Sequence, residues 1–194
     1  MRKIIIGISG SSGVIYGIRL LEFLRDLSDI ESHLVLSTTS KLNIRIETEF
    51  TVKQVEALAD VVHSDLNVAA AISSGSFRTV GMIVAPCSMK TLSNIVHSSA
   101  DNLLARAADV VLKEGRKLVL MPREAPLHVG HCKLFYQAAL MGIHLAPPVP
   151  AFYNHPKTID DIINHSVGRV LDLFDIDSTL VKRWDGKTPV RKTD

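Results

Sequence analysis

Cysteine is scarce in this 194-residue sequence, which contains only Cys87 and Cys132. Two cysteines in a chain of this length do not make a disulfide framework, and the sequence therefore favours a reducing compartment. Strong charge is also missing: the net charge is +2 and there is no long basic run, which argues against nucleic acid as a partner. No apolar run approaches the roughly 20 residues that span a bilayer, and the N-terminus does not resemble a signal peptide. We expect a cytoplasmic protein without a membrane partner.

The chain is long and apolar enough for one substantial core, with 46% hydrophobic residues. This composition predicts a single domain, which we place at residues 1–175, followed by a polar C-terminal tail at residues 176–194. Strand and helix patterns alternate along the domain. The alternation predicts a three-layer α/β fold of the Rossmann or flavodoxin-like type, with a parallel sheet and helices on both faces.

Hydrophobic periodicity places the individual elements. The predicted strands are residues 4–6, 33–36, 81–85, 117–121 and 143–146. The predicted helices are residues 14–24, 51–62, 101–113 and 133–141, one that follows the turn CSMK, and a last one that begins near residue 158. In that last helix, Thr158 and Asp161 have the spacing of a capping box. Residues 67–77 are predicted to be the end of a helix composed of small residues.

The opening stretch KIIIGISGSSGVIYGIRLLEFL is a strand, a glycine-rich turn and a helix in that order. Free backbone N–H groups at a helix N-terminus, with glycines that allow close approach, form a cradle for an anion. The spacing of Gly7, Gly10 and Gly13 differs from the dinucleotide pattern G-x-G-x-x-G, no carboxylate ends the next strand, and a Walker lysine is missing. The pattern favours a mononucleotide such as FMN over NAD or ATP, although ordinary strand-to-helix turns share this composition.

Polar side chains follow each predicted strand, where ligands bind in folds of this type. They lie at residues 9–13, 37–41, 86–91, 123–124 and 147–153. Together they predict an anion-binding edge with a carboxylate available for proton transfer. Each has a purely structural alternative: a helix cap at residues 86–91, an ion pair between Arg123 and Glu124, and solvated surface positions for Glu47, Lys113 and Arg169.

The remaining reactive side chains point to neither a metal nor a thiol nucleophile. His128, His131 and Cys132 form H-x-x-H-C, which is not a zinc spacing, and no second cluster completes it. Cys87 has no histidine nearby in sequence to serve as its base. We therefore predict no metal site, and a turn position for Cys87.

Four segments in order resemble one family, the UbiX/Pad-type flavin prenyltransferases. They are GISGSSGVIYGIRLL, PCSMKTLSNI, RAADVVLKEGRKLVLMPREAPLH and PPVPAFYNHP, and the resemblance extends to Leu173. It implies transfer of a dimethylallyl group from dimethylallyl phosphate to N5 and C6 of reduced FMN. The product, prenylated FMN, would serve a UbiD-type decarboxylase of aromatic or unsaturated acids. The resemblance also implies an FMN-binding domain, independence of metal, and a dodecamer with active sites at subunit contacts.

The same resemblance implies the site residues. Positions that match the FMN contacts are Gly10, Ser11, Ser12, Ser37, Ser88, Met89, Lys90, Thr91 and Arg123. Positions that match the prenyl phosphate contacts are Lys113, Tyr153 and Arg169, two cations and a phenol that could neutralise a departing phosphate without magnesium. The implied catalytic residues are Glu47, Ser74, Lys113 and Glu124. The carboxylates or the phosphate itself would accept the proton that C6 loses on ring closure.

The sequence departs from the family in few places. Ser11 replaces a frequent alanine, residues 38–42 differ from a SKAA-like run, and KEGRKL replaces KERRPL. Two alternative functions stay open. A flavin-dependent cysteine decarboxylase would share fold and FMN, but it would carry a PASAN-like motif and an early catalytic histidine, whereas this chain has PCSMK and its first histidine, His33, lies inside a strand. A non-catalytic FMN-binding subunit of a decarboxylase would have no use for a second phosphate pocket.

Overall fold

The computed structural model of the chain describes residues 1–181, 183 and 184. The chain folds into two compact units, Met1–Pro148 and Val149–Asp194. The sequence instead places a boundary at residue 175, and that division of the chain stays a prediction. Residues 182 and 185–194 of the predicted tail lie outside the described residues.

The first unit is built on a parallel sheet. Its strands are β1 (Arg2–Ile8), β2 (Ile30–Leu36), β3 (Val61–Ser64), β4 (Gly81–Cys87), β5 (Lys117–Pro122) and β6 (His144–Leu145). They lie in the order β3-β2-β1-β4-β5-β6, and every neighbouring pair is parallel. The chain starts in the middle and winds outward in both directions, so the direction of winding reverses between β1 and β4. Ligands in doubly wound folds bind outside the sheet at this reversal. The predicted α/β fold with a parallel sheet is confirmed.

Helices cover both faces of this sheet. The helices of the first unit are α1 (Val14–Arg25), α2 (Thr38–Glu47), α3 (Val52–Glu56), α4 (Met89–Val96), α5 (Leu103–Lys113) and α6 (Val129–Leu140). α1 packs so closely on one face that a Cβ at Gly17 would overlap the carbonyl oxygen of Ala85. On the other face, buried residues of α4 and α5 join Ile5, Met82 and Leu118 in one core cluster. This two-sided cover explains why β1 is a continuous apolar run.

The second unit contains one long helix, α7 (Ile159–Asp172). The predicted capping box is present: the Thr158 side chain accepts from the N–H of Asp161, and the Asp161 carboxylate accepts from the N–H of Thr158. The segment that follows α7 packs against it, because a Cβ at Gly168 would overlap Cγ2 of Val181. Arg183 also donates to Asp172, at 3.0 Å.

The predicted helix at residues 51–62 is wrong in its second half. α3 ends at Glu56, and Val61 begins the edge strand β3. The carboxylate of Asp60 accepts from the backbone N–H and the hydroxyl of Ser32 at 2.7 and 2.9 Å, which attaches the start of β3 to β2. A long-range contact thus overrides a periodicity that fits a helix.

Three further segments differ from the prediction: a missed helix, a loop, and a helix that begins earlier than predicted. α2 was not predicted, because its residues 38–47 have few apolar positions and only Ser40 and Ile44 are buried. Residues 67–77 form a loop with one 3₁₀ turn, Ala71–Ser73, instead of a helix end. α6 begins at Val129 because the His128 side chain caps it by accepting from the N–H of Gly130.

Candidate active site

The loop after β1 and the start of α4 meet at the point where the winding of the sheet reverses. The buried hydroxyl of Ser9 donates to the carbonyl oxygen of Pro86 at 3.0 Å and accepts from the N–H of Ser88 at 2.7 Å. The backbone N–H of Ser9 donates to the same Pro86 oxygen at 3.1 Å. Sequence reasoning gave Ser9 no individual role. The sequence feature that could have identified Ser9 is its hydroxyl directly after a buried strand, at the point where the winding of the sheet reverses.

Glu47 lies at the N-terminus of α1. Its Oε2 accepts from the backbone N–H groups of Gly13 at 2.8 Å and Val14 at 3.4 Å. Asn43, one turn earlier on α2, donates from Nδ2 to the carbonyl oxygen of Ser11 at 3.1 Å. A helix N-terminus favours a carboxylate, so α2 and the glycine-rich loop support each other. The structure therefore brings the predicted catalytic residue Glu47 to the loop that contains Gly10, Ser11 and Ser12.

The glycine-rich loop also packs tightly against the start of α2. A Cβ at Gly10 would lie 2.5 Å from Cβ of Thr39, so no side chain fits at this position. The N–H of Ser37 donates to the carbonyl oxygen of Ile8 at 3.1 Å, and the Ser37 hydroxyl caps α2 by accepting from Ser40 N at 3.1 Å. Ser37 thus lies beside the end of β1, as predicted.

The start of α4 and the end of β5 complete this edge of the sheet. Ser88 caps α4, accepting from the N–H of Thr91 at 3.2 Å and donating to its hydroxyl at 3.0 Å. The N–H of Arg123 donates to the carbonyl oxygen of Cys87 at 3.2 Å. Met89 and Lys90 form the first turn of α4. The exposed Glu124 accepts from the adjacent N–H of Ala125 at 3.1 Å.

Two buried polar atoms at this edge have no hydrogen-bond partner among the described residues: Nε of Arg123 and the hydroxyl of Ser11. Buried polar groups are nearly always paired in native proteins, so these two atoms are available to bind a ligand or water. The free N–H groups at the starts of α2 and α4 add further donors toward an anion. A cationic guanidinium, hydroxyls and backbone donors beside the glycine-rich loop fit the phosphate and polar ring edge of FMN.

Ser74 and Lys113 lie at the opposite edge of the sheet. Lys113 ends α5 just before β5 begins, whereas Arg123 follows the end of β5. A six-residue strand separates the two positions by about 20 Å, at about 3.3 Å per residue. The two predicted residues do lie close to each other, because a Cβ at Gly75, next to Ser74, would lie 2.8 Å from Nζ of Lys113.

The loop that contains Ser74 is held by neighbouring charged groups. Arg116 donates to the carbonyl oxygens of Gly75 and Phe77 at 2.7 and 2.8 Å. Lys113 forms an ion pair with Glu114, and this hydrogen bond lowers the pKa of the Glu114 carboxyl. The Ser74 hydroxyl is within 2.9 Å of that of Ser76.

Tyr153 and Arg169 belong to the second unit, near one buried histidine. The Tyr153 hydroxyl lies 3.3 Å from Nε2 of His165, which is one helical turn before Arg169 on α7. Arg169 donates to Asp172 at 2.7 Å. Burial is the main cause that lowers the pKa of His165, and the nearby Arg169 charge lowers it further. His165 was not singled out from the sequence.

The other candidates from the sequence have structural roles here. Cys87 is fully buried, and burial raises the pKa of its thiol far above the usual range, so it is a poor nucleophile. The rings of His128 and His131 lie in contact, with centroids 3.6 Å apart and planes tilted by 34°. In the described part of the chain, no three His, Cys, Asp or Glu side chains are grouped as a metal site requires. Within that same part, no helix has the length and apolar character needed to cross a membrane.

Comparison with known proteins extends these observations. Residues 1–169 match the family described as Flavoprotein. The chain is 57% identical over 188 residues to the flavin prenyltransferase UbiX of Escherichia coli strain K12, which covers 96% of this chain and 100% of that protein.

Two solved structures are similar over nearly their whole length. One is AnUbiX (PadA1) in complex with FMN and dimethylallyl pyrophosphate, with a TM-score of 0.94 and 46% identity over 96% of this chain and 99% of that one. The other is a dodecameric FMN-dependent UbiX-like decarboxylase from Escherichia coli O157:H7, with a TM-score of 0.93 and 52% identity over 95% of this chain and 100% of that one.

Proposed function

This chain belongs to the Flavoprotein family and, within it, to the UbiX flavin prenyltransferases, and we propose that it transfers a dimethylallyl group from dimethylallyl phosphate to N5 and C6 of reduced FMN. The prenylated FMN would then be released to a UbiD-type decarboxylase. The observation that carries the proposal is the carboxyl edge of the sheet, where Ser9 joins two loops beside the unpaired Arg123 Nε and Ser11 hydroxyl.

FMN would bind at this edge. Gly10 lets the glycine-rich loop pack directly against Thr39, and Arg123 supplies a charge-assisted donor for the phosphate or ring carbonyls of FMN. The other proposed contacts are with the loop after β1, the cap of α2 and the first turn of α4, namely Ser11, Ser12, Ser37, Ser88, Met89, Lys90 and Thr91. The related AnUbiX structure contains FMN.

The phosphate of the prenyl donor would bind to Tyr153, Arg169 and Lys113. Breaking the C–O bond of the donor leaves the electron pair on the phosphate, and two cations and a phenol stabilise that charge without a metal ion. Because Lys113 and Ser74 lie at the amino edge of the sheet, a site that combines them with Gly10 and Arg123 must use two copies of the chain. The dodecameric relative is consistent with such shared sites, and we propose the same assembly here.

Ring closure at C6 releases a proton that an acceptor must receive. Glu47 is held at the start of α1 beside the glycine-rich loop, and Glu124 follows the end of β5. Both carboxylates thus border the proposed flavin site from different elements. We assign proton handling to this pair, with Ser74 contributed next to the flavin by a neighbouring copy.

The test is anaerobic incubation with reduced FMN and dimethylallyl phosphate, without added metal, followed by mass spectrometry of the flavin. A flavin heavier by one prenyl group is expected from the wild type. Lys113→Ala and Arg169→Ala should each keep FMN and lose the heavier product, whereas Lys53→Ala, an exposed lysine of α3, should behave as the wild type. Unchanged flavin from a wild type that binds FMN would contradict the proposal.

A cysteine-type decarboxylase is less consistent with the structure. Its early catalytic histidine would have to be His33, which is 3% exposed in β2. The His33 ring is hydrogen-bonded to Glu31 at 2.7 Å and to His63 at 3.0 Å, so both nitrogens are occupied within the sheet. Release of CO₂ from a peptide with a C-terminal cysteine would favour that activity instead.

We further propose a cytoplasmic location. Both cysteines are free thiols, Cys87 buried and Cys132 exposed, which suits a reducing compartment. Alkylation of Cys132 in intact cells, read by mass spectrometry after lysis, would test whether this exposed thiol is reduced in its own compartment.

A further inference from the structure

We propose that His165 is a positioning residue for Tyr153: it donates a hydrogen bond to the phenol oxygen and so leaves the Tyr153 O–H free to donate to the phosphate of the prenyl donor. The inference rests on the proposed function, since it concerns the phosphate contact of Tyr153. It assigns a role to a buried imidazole that lies next to that phenol.

The geometry places His165 between two polar groups. Its Nε2 lies 3.3 Å from the Tyr153 hydroxyl, and its Nδ1 lies 3.2 Å from Nδ2 of Asn154. The ring is 7% exposed and meets the Tyr153 ring edge-on, with centroids 5.6 Å apart. Two consecutive residues of the proline-rich loop therefore bind the two nitrogens of one imidazole on α7.

The neighbour at Nδ1 determines which nitrogen of His165 carries the proton. The amide nitrogen of Asn154 faces Nδ1 and can only donate, so we assign Nδ1 the role of acceptor and place the single proton of the neutral ring on Nε2. Burial and the charge of Arg169 both lower the pKa of His165, and both therefore favour the neutral ring, against the weaker opposing effect of Asp172. Nε2–H then donates to the phenol oxygen of Tyr153.

The direction of this hydrogen bond decides what Tyr153 offers to an anion. A phenol has one proton, and a phosphate can be bound only by donors. If Nε2 accepted that proton, Tyr153 would turn lone pairs toward the phosphate and repel it. With Nε2 as donor, the phenol proton is available, and the hydrogen bond that it receives also polarises the phenol O–H. Asn154 thus acts through His165 to leave the Tyr153 hydroxyl as a hydrogen-bond donor to the phosphate.

The test compares two variants of His165 in two backgrounds. His165→Gln can place an amide N–H near the former Nε2 position, whereas His165→Leu cannot donate. Each is made with Tyr153 present and with Tyr153→Phe. Binding of dimethylallyl phosphate to protein loaded with oxidised FMN, which does not turn over, is measured by calorimetry. FMN affinity and thermal stability are measured for every variant as evidence of intact structure.

We expect His165→Leu to weaken donor binding about tenfold, the worth of one hydrogen bond to a charged group, and His165→Gln to stay within about threefold of the wild type. Tyr153→Phe should also lose about tenfold, and adding His165→Leu to it should cost no more, because the two residues act through one contact. In turnover with reduced FMN, His165→Leu should raise the KM for the donor and leave kcat little changed.

Several results would overturn the inference. One is unchanged donor binding in His165→Leu, and another is a further tenfold loss of donor affinity when His165→Leu is added to Tyr153→Phe. A third is a folded His165→Gln variant that binds the donor no better than His165→Leu does. A wild type that binds FMN but not dimethylallyl phosphate would instead overturn the proposed function itself.

Discussion

Mixing two inactive variants should restore activity if the site is shared between copies. Lys113→Ala removes a cation at the amino edge of the sheet, and Arg123→Ala removes one at the carboxyl edge, about 20 Å away across the six residues of β5. No side chain spans that distance. A site with both cations must therefore take Lys113 from one copy and Arg123 from another, and each homogeneous variant should be inactive.

When the two variants are unfolded together at equal amounts and refolded, random assortment gives about a quarter of the sites both native cations, and so about a quarter of wild-type activity. Prenylated FMN is quantified by mass spectrometry, and native mass spectrometry verifies that the oligomers are mixed. The matched control for dilution alone is a mixture of the Lys113→Ala/Arg123→Ala double variant with Lys53→Ala protein. By the same arithmetic, this mixture should also have about a quarter of wild-type activity. Inactive mixed oligomers of the single variants, beside active controls, would show that both cations act within one chain.

Three further changes probe individual contacts. Ser9→Ala leaves the N–H of Ser88 without its acceptor, while the backbone N–H of residue 9 still donates to Pro86. It should lower the free energy of unfolding by about 1–3 kcal/mol, measured in urea, and weaken FMN binding; full FMN affinity would contradict its role in joining the two loops. Gly17→Ala forces a methyl group onto the carbonyl oxygen of Ala85 and should cost about 1–3 kcal/mol in the same assay, and an unchanged urea midpoint would show that α1 shifts freely. Burial lowers the pKa values of His33 and His63, so the unfolded chain binds protons that the folded chain does not, and stability should fall as the pH drops below about 6.5. Replacing both histidines by asparagine should make the fall of the urea midpoint between pH 8 and pH 5.5 shallower, with the part due to His165 remaining. An equally steep fall would assign the whole effect to other groups.

The strands and their polar ends could be predicted because each is a local pattern. A β-branched run such as residues 4–6 is buried on both faces, and hydroxyls after it mark a carboxyl edge. β3 could not be predicted, because Asp60 fixes it through bonds to Ser32, 28 residues earlier. α2 was missed because only two of its residues are buried, which leaves hardly any apolar period to detect.

The sequence supplies the candidate site as a set of residues, which stays a prediction, and it does not supply their arrangement. The resemblance to a family supplied Lys113 and Arg123 together, and only the topology shows that they lie at opposite edges. Ser9 and His165 carry no motif of their own. Their roles come from partners distant in sequence, Ser88 for Ser9 and the Tyr153 hydroxyl for His165.

The contact between Gly10 and Thr39 has a consequence for how this sequence can change over generations. A methyl group at Gly10 would overlap the branched side chain of Thr39, whose Cβ would be 2.5 Å away. Thr39 lies within residues 38–42, the stretch that differs from the SKAA-like run of the family that the sequence resembles. A mutation to alanine at position 10 is therefore deleterious while Thr39 is present and becomes tolerable only after Thr39 has itself become small. The substitutions that position 10 can accept therefore depend on the size of the side chain at position 39.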